Sequence, residues 1–166
     1  INLYNIVIDG LGGDTVIPET TEGKEFMGQA LAMRAYGYLY LTQLYVNKYD
    51  ETKKILPIYI DTATPNQAKS TTKEVFDLMI SDLTKSIDLL GTYARAGKNE
   101  VNADVARGLL AYVYAQKGDY ANAKTQAEAV VTGGAFSIST ADEISYDGAD
   151  DTVGGFNDIG AMPGVM

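Results

Sequence analysis

The stretch from Ala111 to Val131, AYVYAQKGDYANAKTQAEAVV, constrains this chain's fold more than any other. Alanines recur at regular steps on both sides of Gly118-Asp119-Tyr120. Glycine is a poor helix former and readily takes the backbone conformation that ends a helix. Asp119 is a good N-cap for a second helix. The stretch therefore predicts two helices joined by a tight turn. Ala111 and Ala123, twelve positions apart, match the register of a tetratricopeptide repeat. In that register Tyr114 follows one turn after Ala111, and Tyr120 fills the space under the turn. Ala127 stands where the repeat usually has an aromatic. An ordinary antiparallel helical pair is the alternative. Either way the hairpin is a scaffold, and scaffolds of this kind build surfaces more often than active sites.

A second self-similarity points to stacked hairpins. GQALAMRAYGYLYLTQLY and ADVARGLLAYVYAQKGDY share alanines, an arginine and tyrosine-rich apolar turns. Arg34 and Arg107 occupy similar places. Each could hold a carboxylate or cap carbonyls between hairpins, or simply pack its stem at the surface. The first of the two segments belongs to a long helix expected over 22–45. Its apolar steps are Phe26, Ala30, Met33, Gly37, Tyr40, Leu41 and Leu44. Gly28, Ala30, Ala32, Ala35 and Gly37 allow close approach of neighbouring helices. So much apolar surface around one helix implies burial on more than one side.

Elsewhere the pattern is punctuated. INLYNIVIDG reads as the tail of a helix, closed by the glycines of DGLGGDT. Pro57 and Pro65 argue against helix between Val46 and Ser70, where ILPIYID reads as a short extended piece. Thr71 and Glu74 have the spacing of a capping box. Val75, Leu78, Met79, Leu83, Ile87 and Leu90 then form a stripe that Gly91 ends. Asn102 or Asp104 caps a helix reaching about Gln116, with Val105, Leu109, Tyr112 and Val113 on one face and Ala106, Leu110 and Tyr114 widening it. Asp119 caps the last helix, to about Thr132. GGAFSIS predicts a turn and an extended piece, followed by an acidic, glycine-rich tail. The expected fold is all-α, with tetratricopeptide-like hairpins and irregular loops. Residues 1–166 read as one such region of a longer protein, because the chain starts in mid-pattern and stops without a closing element.

Composition narrows the chemistry. The net charge of −9 disfavours nucleic acid and anionic membrane surfaces. There is no cysteine and no histidine. This removes disulfides, thiolate catalysis, serine–histidine triads and the commonest metal ligand. No apolar run approaches the roughly 18–20 residues of a membrane-spanning helix. DGLGGD lacks the lysine of a phosphate loop and the sequel of a dinucleotide fingerprint. No pair of acids stands apart as a glycosidase pair would. No cofactor is expected.

In order and spacing these segments resemble the SusD/RagB family of outer-membrane glycan-binding lipoproteins. YNIVIDGL is similar to its segment in which an asparagine precedes an apolar helix end. GQALAMRAYGYLYLTQLY resembles its most recognisable helix, where alanines flank an arginine and aromatics follow. LPIYIDTATPNQAKSTTKEVFDLMISDLTKSIDLL has its proline, its polar loop and its helix with the pair Asp82-Leu83. NADVARGLLAYVYAQKGDYANAKTQAEAVVTGGAFSIS resembles its hairpin and following turn. Gln29 stands where a glutamate is common. Asn47 and Lys48 stand where a glycine often follows the tyrosine, so a different backbone turn is expected after Tyr45. The resemblance implies a non-enzymatic, surface-exposed binder of oligosaccharide, sometimes peptide. It further implies a lipid anchor outside this stretch and a SusC-like TonB-dependent transporter as partner. A tetratricopeptide adaptor that binds a protein or peptide in a concave groove is the alternative.

Sugar recognition needs aromatic faces beside amide or acid groups. Most of the 12 tyrosines lie at helical spacing and are expected in cores or helix contacts. The loop residues Asn47, Tyr49, Tyr59 and Tyr146 are the glycan-contact candidates. Asp142, Glu143, Asp147, Asp150 and Asp151 carry the oxygens that calcium takes, but not the spacing of a helix-loop-helix calcium loop. A solvated loop is the expectation there, and no metal site is assigned. Helix faces this apolar predict that the fragment alone melts below its parent protein; calorimetry of both checks this, and equal melting temperatures refute it.

Overall fold

A computed structural model describes residues 1–133 of the chain. Tyr146, the acidic tail and the extended piece expected after Gly133 lie outside the described residues. The elements, in order, are α1 (Asn2–Gly10), α2 (Thr21–Tyr45), β1 (Lys54–Leu56), β2 (Ser70–Thr71), α3 (Thr72–Leu90), α4 (Ala103–Lys117) and α5 (Tyr120–Thr132). The two short strands pair antiparallel, with Lys54 opposite Thr71 and Leu56 opposite Ser70.

Local chemistry sets the helix ends. The Thr20 hydroxyl accepts from the Gly23 amide and starts α2. At α3 the capping box forms: Glu74 Oε2 accepts from the Thr71 amide at 2.7 Å, and the Glu74 amide donates to Thr71 Oγ1 at 3.2 Å. Asn102, rather than Asp104, caps α4 by accepting from the Val105 amide. Between α4 and α5, Gly118 has φ +86°, where an L side chain is strained. Asp119 then caps α5 through the Asn122 amide. The pause at Gly-Asp-Tyr is thus a helix–helix turn.

The core is formed where α3 packs against both α2 and α4. Val75, Phe76, Met79 and Leu83 of α3 meet Ala32, Ala35, Tyr38 and Leu39 of α2, and Ala106, Leu110 and Val113 of α4. Each large apolar side chain so buried contributes about 1.5–3 kcal/mol. Close approach depends on Gly28, where a Cβ would lie 2.7 Å from Leu90 Cγ. Ser86 Oγ donates to the Gly28 carbonyl across the same contact, at 2.7 Å.

Hydrogen bonds link α2 and α4 near both ends. The Val101 amide donates to Gln29 Oε1, and Thr42 Oγ1 to Gln116 Oε1, joining residues 72 and 74 apart. Arg34 and Arg107 are separated by 107 − 34 = 73 positions. The helices therefore run side by side in one direction, in the register of the sequence self-similarity, as stacked hairpins require.

The two arginines have different roles. Arg107 is half-buried and, among the described residues, bonds only to Asp104, one turn back on its own helix, at 3.2 Å. Arg34 is fully buried. Its Nε and Nη2 donate to the two oxygens of Asp82 on α3, at 2.8 and 2.7 Å. Nη2 also reaches Asp14 Oδ1 at 2.7 Å, and Nη1 donates to Asn5 Oδ1 and the Ile60 carbonyl. All of the guanidinium's N–H donors are thereby used. Burial works against the Arg34 charge, but Asp82 and Asp14 more than offset it and raise its pKa. Burial pushes the Asp82 carboxyl up to about 6 against the pull of Arg34, so the pair is ionised at neutral pH.

Three sequence expectations are corrected. On α2 the buried line is Met27, Leu31, Arg34, Tyr38 and Thr42, whereas Phe26, Tyr40 and Leu44 of the expected stripe are 51%, 56% and 62% exposed. A helix apolar on most sides gives periodicity no single direction, and its true core line contains polar residues. The tyrosines are also less buried than expected: only Tyr38 is fully so among those described. Tyr120 is 73% exposed and does not fill the space under its turn. On α4, Tyr112 is exposed, while Ala106, Leu110 and Val113 form the buried line.

Removing one partner from a buried ion pair strands the other charge. Arg34→Met is expected to cost about 3–5 kcal/mol in denaturant unfolding, and Arg34→Met with Asp82→Leu to recover much of it. Gly118→Ala is expected to cost at least about 1 kcal/mol by the same measurement, because φ there is positive.

Candidate functional site

The chain between β1 and β2 has no regular structure over most of its length, so its polar backbone groups need partners from elsewhere. Side chains of α1 and α2 provide them. Tyr38 Oη accepts from the Tyr59 amide at 2.7 Å. Asn5 Nδ2 donates to the carbonyls of Tyr59 and Asp61 at 3.1 and 3.2 Å. Arg34 holds the Ile60 carbonyl. Asp9 Oδ2 accepts from both the amide and the hydroxyl of Thr62. Asp61 turns the chain by accepting from the Ala63 and Thr64 amides, and its hydrogen bonds with Thr64 hold its carboxyl below the usual range. The result is a strap, residues 57–64, lashed across the helices.

The strap places Tyr59 in a cleft of about 260 Å³ with Asn2, Asn5, Asp61, Thr62 and Thr64. The ring is steadied at its far end, where Tyr59 Oη accepts from the Gln67 amide at 3.1 Å. Amides, hydroxyls and an aromatic edge meet there.

Asn47 and Tyr49 share a different and larger cleft, of about 530 Å³, with Lys48, Asp50 and Lys53. Tyr49 packs edge-on against Phe76, ring centroids 5.1 Å apart at 76°. Its hydroxyl is buried without a hydrogen-bond partner among the described residues, and burial pushes its pKa up, helped by Glu51 and Asp77. Asp50 turns the loop by accepting from the amide and hydroxyl of Thr52. No residue in this loop takes a positive φ, so Asn47 and Lys48 close the turn without the left-handed backbone a glycine would supply.

The structure thus brings Asn47 and Tyr49 together and sets Tyr59 in a separate cleft. Sequence reasoning missed Asn2, Thr64, Lys48 and Lys53. No periodicity marks them, because Thr64, Lys48 and Lys53 lie on irregular backbone and Asn2, at the start of α1, meets its cleft only through the strap. A third, mainly apolar cleft of about 430 Å³ joins Leu3, Tyr4 and Val7 of α1 to Phe26, Gln29 and Met33 of α2. Tyr93 and Glu100 complete it, with Tyr93 Oη donating to Glu100 at 2.7 Å. On the last hairpin, Ala111, Tyr112, Ala115, Ala123, Ala127 and Val130 line a groove of about 450 Å³. Asp9, Asp14 and Asp82 accept hydrogen bonds that hold the fold together. No helix of the described residues is long and apolar enough to cross a membrane.

Comparison with known proteins agrees with this architecture. Among curated proteins none matches the sequence. A SusD-like carbohydrate-binding protein of Bacteroides vulgatus superposes with a TM-score of 0.71 at 24% identity, over 84% of this chain and 30% of that one. A SusD superfamily protein of Bacteroides thetaiotaomicron gives 0.72 at 24% identity, over 84% and 32%. A B. vulgatus protein assigned to sugar binding is 31% identical, with a TM-score of 0.67 over 80% and 30%. The chain spans about a third of the length of these solved proteins. The SusD-like family model, described as starch-binding and associating with the outer membrane, matches residues 1–124. That match covers α1 to α4 and the start of α5, including the Arg34–Asp82 pair and the strap it holds, and the chain belongs to the SusD-like family.

Proposed function

We propose that this chain is one helical region of a longer, surface-exposed glycan-binding lipoprotein, which delivers oligosaccharide to a SusC-like TonB-dependent transporter at the outer membrane. It performs no catalysis. The observation that carries the reading is the family match over residues 1–124, with its description as starch-binding and outer-membrane-associated. The likeness to a SusD-like carbohydrate-binding protein supports it. A tetratricopeptide adaptor gains nothing from either comparison.

Within the described residues, Asn47 with Tyr49 and, separately, Tyr59 are the glycan contacts we assign. Each pairs an aromatic ring with an amide in a cleft open to solvent. Sugars offer C–H faces to the ring and hydroxyls to the amide. Both clefts sit on backbone tied to helices, and such ties lower the ordering cost of binding.

Isothermal titration of the full-length protein against a panel of oligosaccharides and peptides tests the reading. Micromolar to millimolar binding of at least one oligosaccharide is expected. Asn47→Ala with Tyr49→Ala should weaken it about 10-fold, the effect of losing some 1.4 kcal/mol. Recovery of a TonB-dependent transporter on pull-down from outer membranes is expected as well. Silence across polysaccharides and peptides, with no transporter recovered, would count decisively against it.

A further inference from the structure

The cleft of Asn47, Lys48, Tyr49, Asp50 and Lys53 has a charge pattern that the proposed function does not explain. The chain as a whole carries −9. Its segment 48–54, KYDETKK, carries three lysines against two acids. Two of the lysines line the cleft. Among the described residues neither Lys48 nor Lys53 forms an ion pair, whereas Lys73, Lys117 and Lys124 all do. Asp50, the acid of the cleft, lies within reach of the Lys53 charge, but its Oδ1 is taken up by Thr52. Of the acids beneath Tyr49, Asp77 is matched by Lys73 at 2.5 Å and Lys117 at 4.0 Å. Glu51 is the remaining acid of the segment and does not line the cleft.

Exposed ammonium groups outside any ion pair of the described residues, beside an amide and a fixed aromatic ring, make a site that favours an anion carried on an otherwise polar, ring-shaped ligand. We propose that this cleft takes an acidic oligosaccharide, one bearing carboxylate or sulfate groups, with Lys48 and Lys53 on the anion, Asn47 on a hydroxyl and Tyr49 against the sugar ring. The proposal rests on the glycan-binding reading above and specifies its ligand class.

Titration of the full-length protein with three defined probes tests it: tetragalacturonate for carboxylate, a κ-carrageenan tetrasaccharide for sulfate, and laminaritetraose as the neutral control. At least one anionic probe is expected to bind, more weakly as salt is raised, and which one binds distinguishes carboxylate from sulfate. Lys48→Gln with Lys53→Gln is expected to weaken that binding at least tenfold and to leave any laminaritetraose affinity unchanged. Both side chains are exposed, so the variant should keep the helical circular dichroism of the parent. Anionic binding of equal strength in the double variant, or binding of laminaritetraose alone, overturns the acidic-ligand proposal and leaves the glycan reading standing. Silence toward all three probes, and toward the wider panel, removes both.

Discussion

One buried cation organises this structure. Arg34 sits in the middle of α2 with every N–H donor satisfied. Its partners come from α1, the loop after α1, the strap and α3, so one side chain registers four segments far apart in sequence. A guanidinium withdrawn from water is costly unless its whole donor fork is met, and the planar fork can be met in only a narrow set of positions. That demand specifies geometry more than it adds stability. The helices cannot slide relative to one another without breaking two carboxylate contacts and two carbonyl contacts at once. Close contact at Gly28 and the Ser86 hydrogen bond lock the same α2–α3 interface from its other end.

The consequence for function lies in the strap. A stretch interrupted by Pro57 and Pro65 cannot satisfy itself by helix or ladder. Asn5, Asp9, Arg34 and Tyr38 hold it through its backbone groups. Held in this way, the strap presents Tyr59 and Thr64 at an open cleft. The Asn47–Lys53 cleft follows a related logic. Phe76, a core residue of α3, backs the Tyr49 ring, so a loop side chain is carried on the rigid interior. In both places irregular backbone presents recognition chemistry, and the helical hairpins beneath keep it in position.

Much of the scaffold was legible in residue order. Thr71 with Glu74, Asn102, Gly118 and Asp119 mark helix ends through bonds to amides a few residues away, so the signal is local. The α3 stripe was readable too, since its polar and apolar residues separate cleanly around the helix. The α2 stripe was not, because aromatic and aliphatic residues surround that helix and its buried line contains Arg34 and Thr42. The equivalence of Arg34 and Arg107 was visible as a repeat in sequence. Their opposite fates were not, because what buries Arg34 is Asn5, Asp14, Ile60 and Asp82, and no local pattern announces those partners. Among the candidate ligand residues, the pairing of Asn47 with Tyr49 followed from nearness in the chain. The lysines beside them and the separate cleft of Tyr59 did not.

The amino-acid order alone determined that this chain is a set of helices, where they begin and end, and that they pair as hairpins. Those properties depend on propensities, caps and a repeat spacing, all of which act within one or two turns or recur as a pattern. Tertiary structure alone decided which α2 face is buried, which arginine is the hub and which loop residues share a cleft. Those outcomes depend on contacts between residues 26 to 56 positions apart, as at Arg34–Ile60, Arg34–Asp82 and Asn5–Asp61, and a contact of that separation exists only once the chain has folded back on itself.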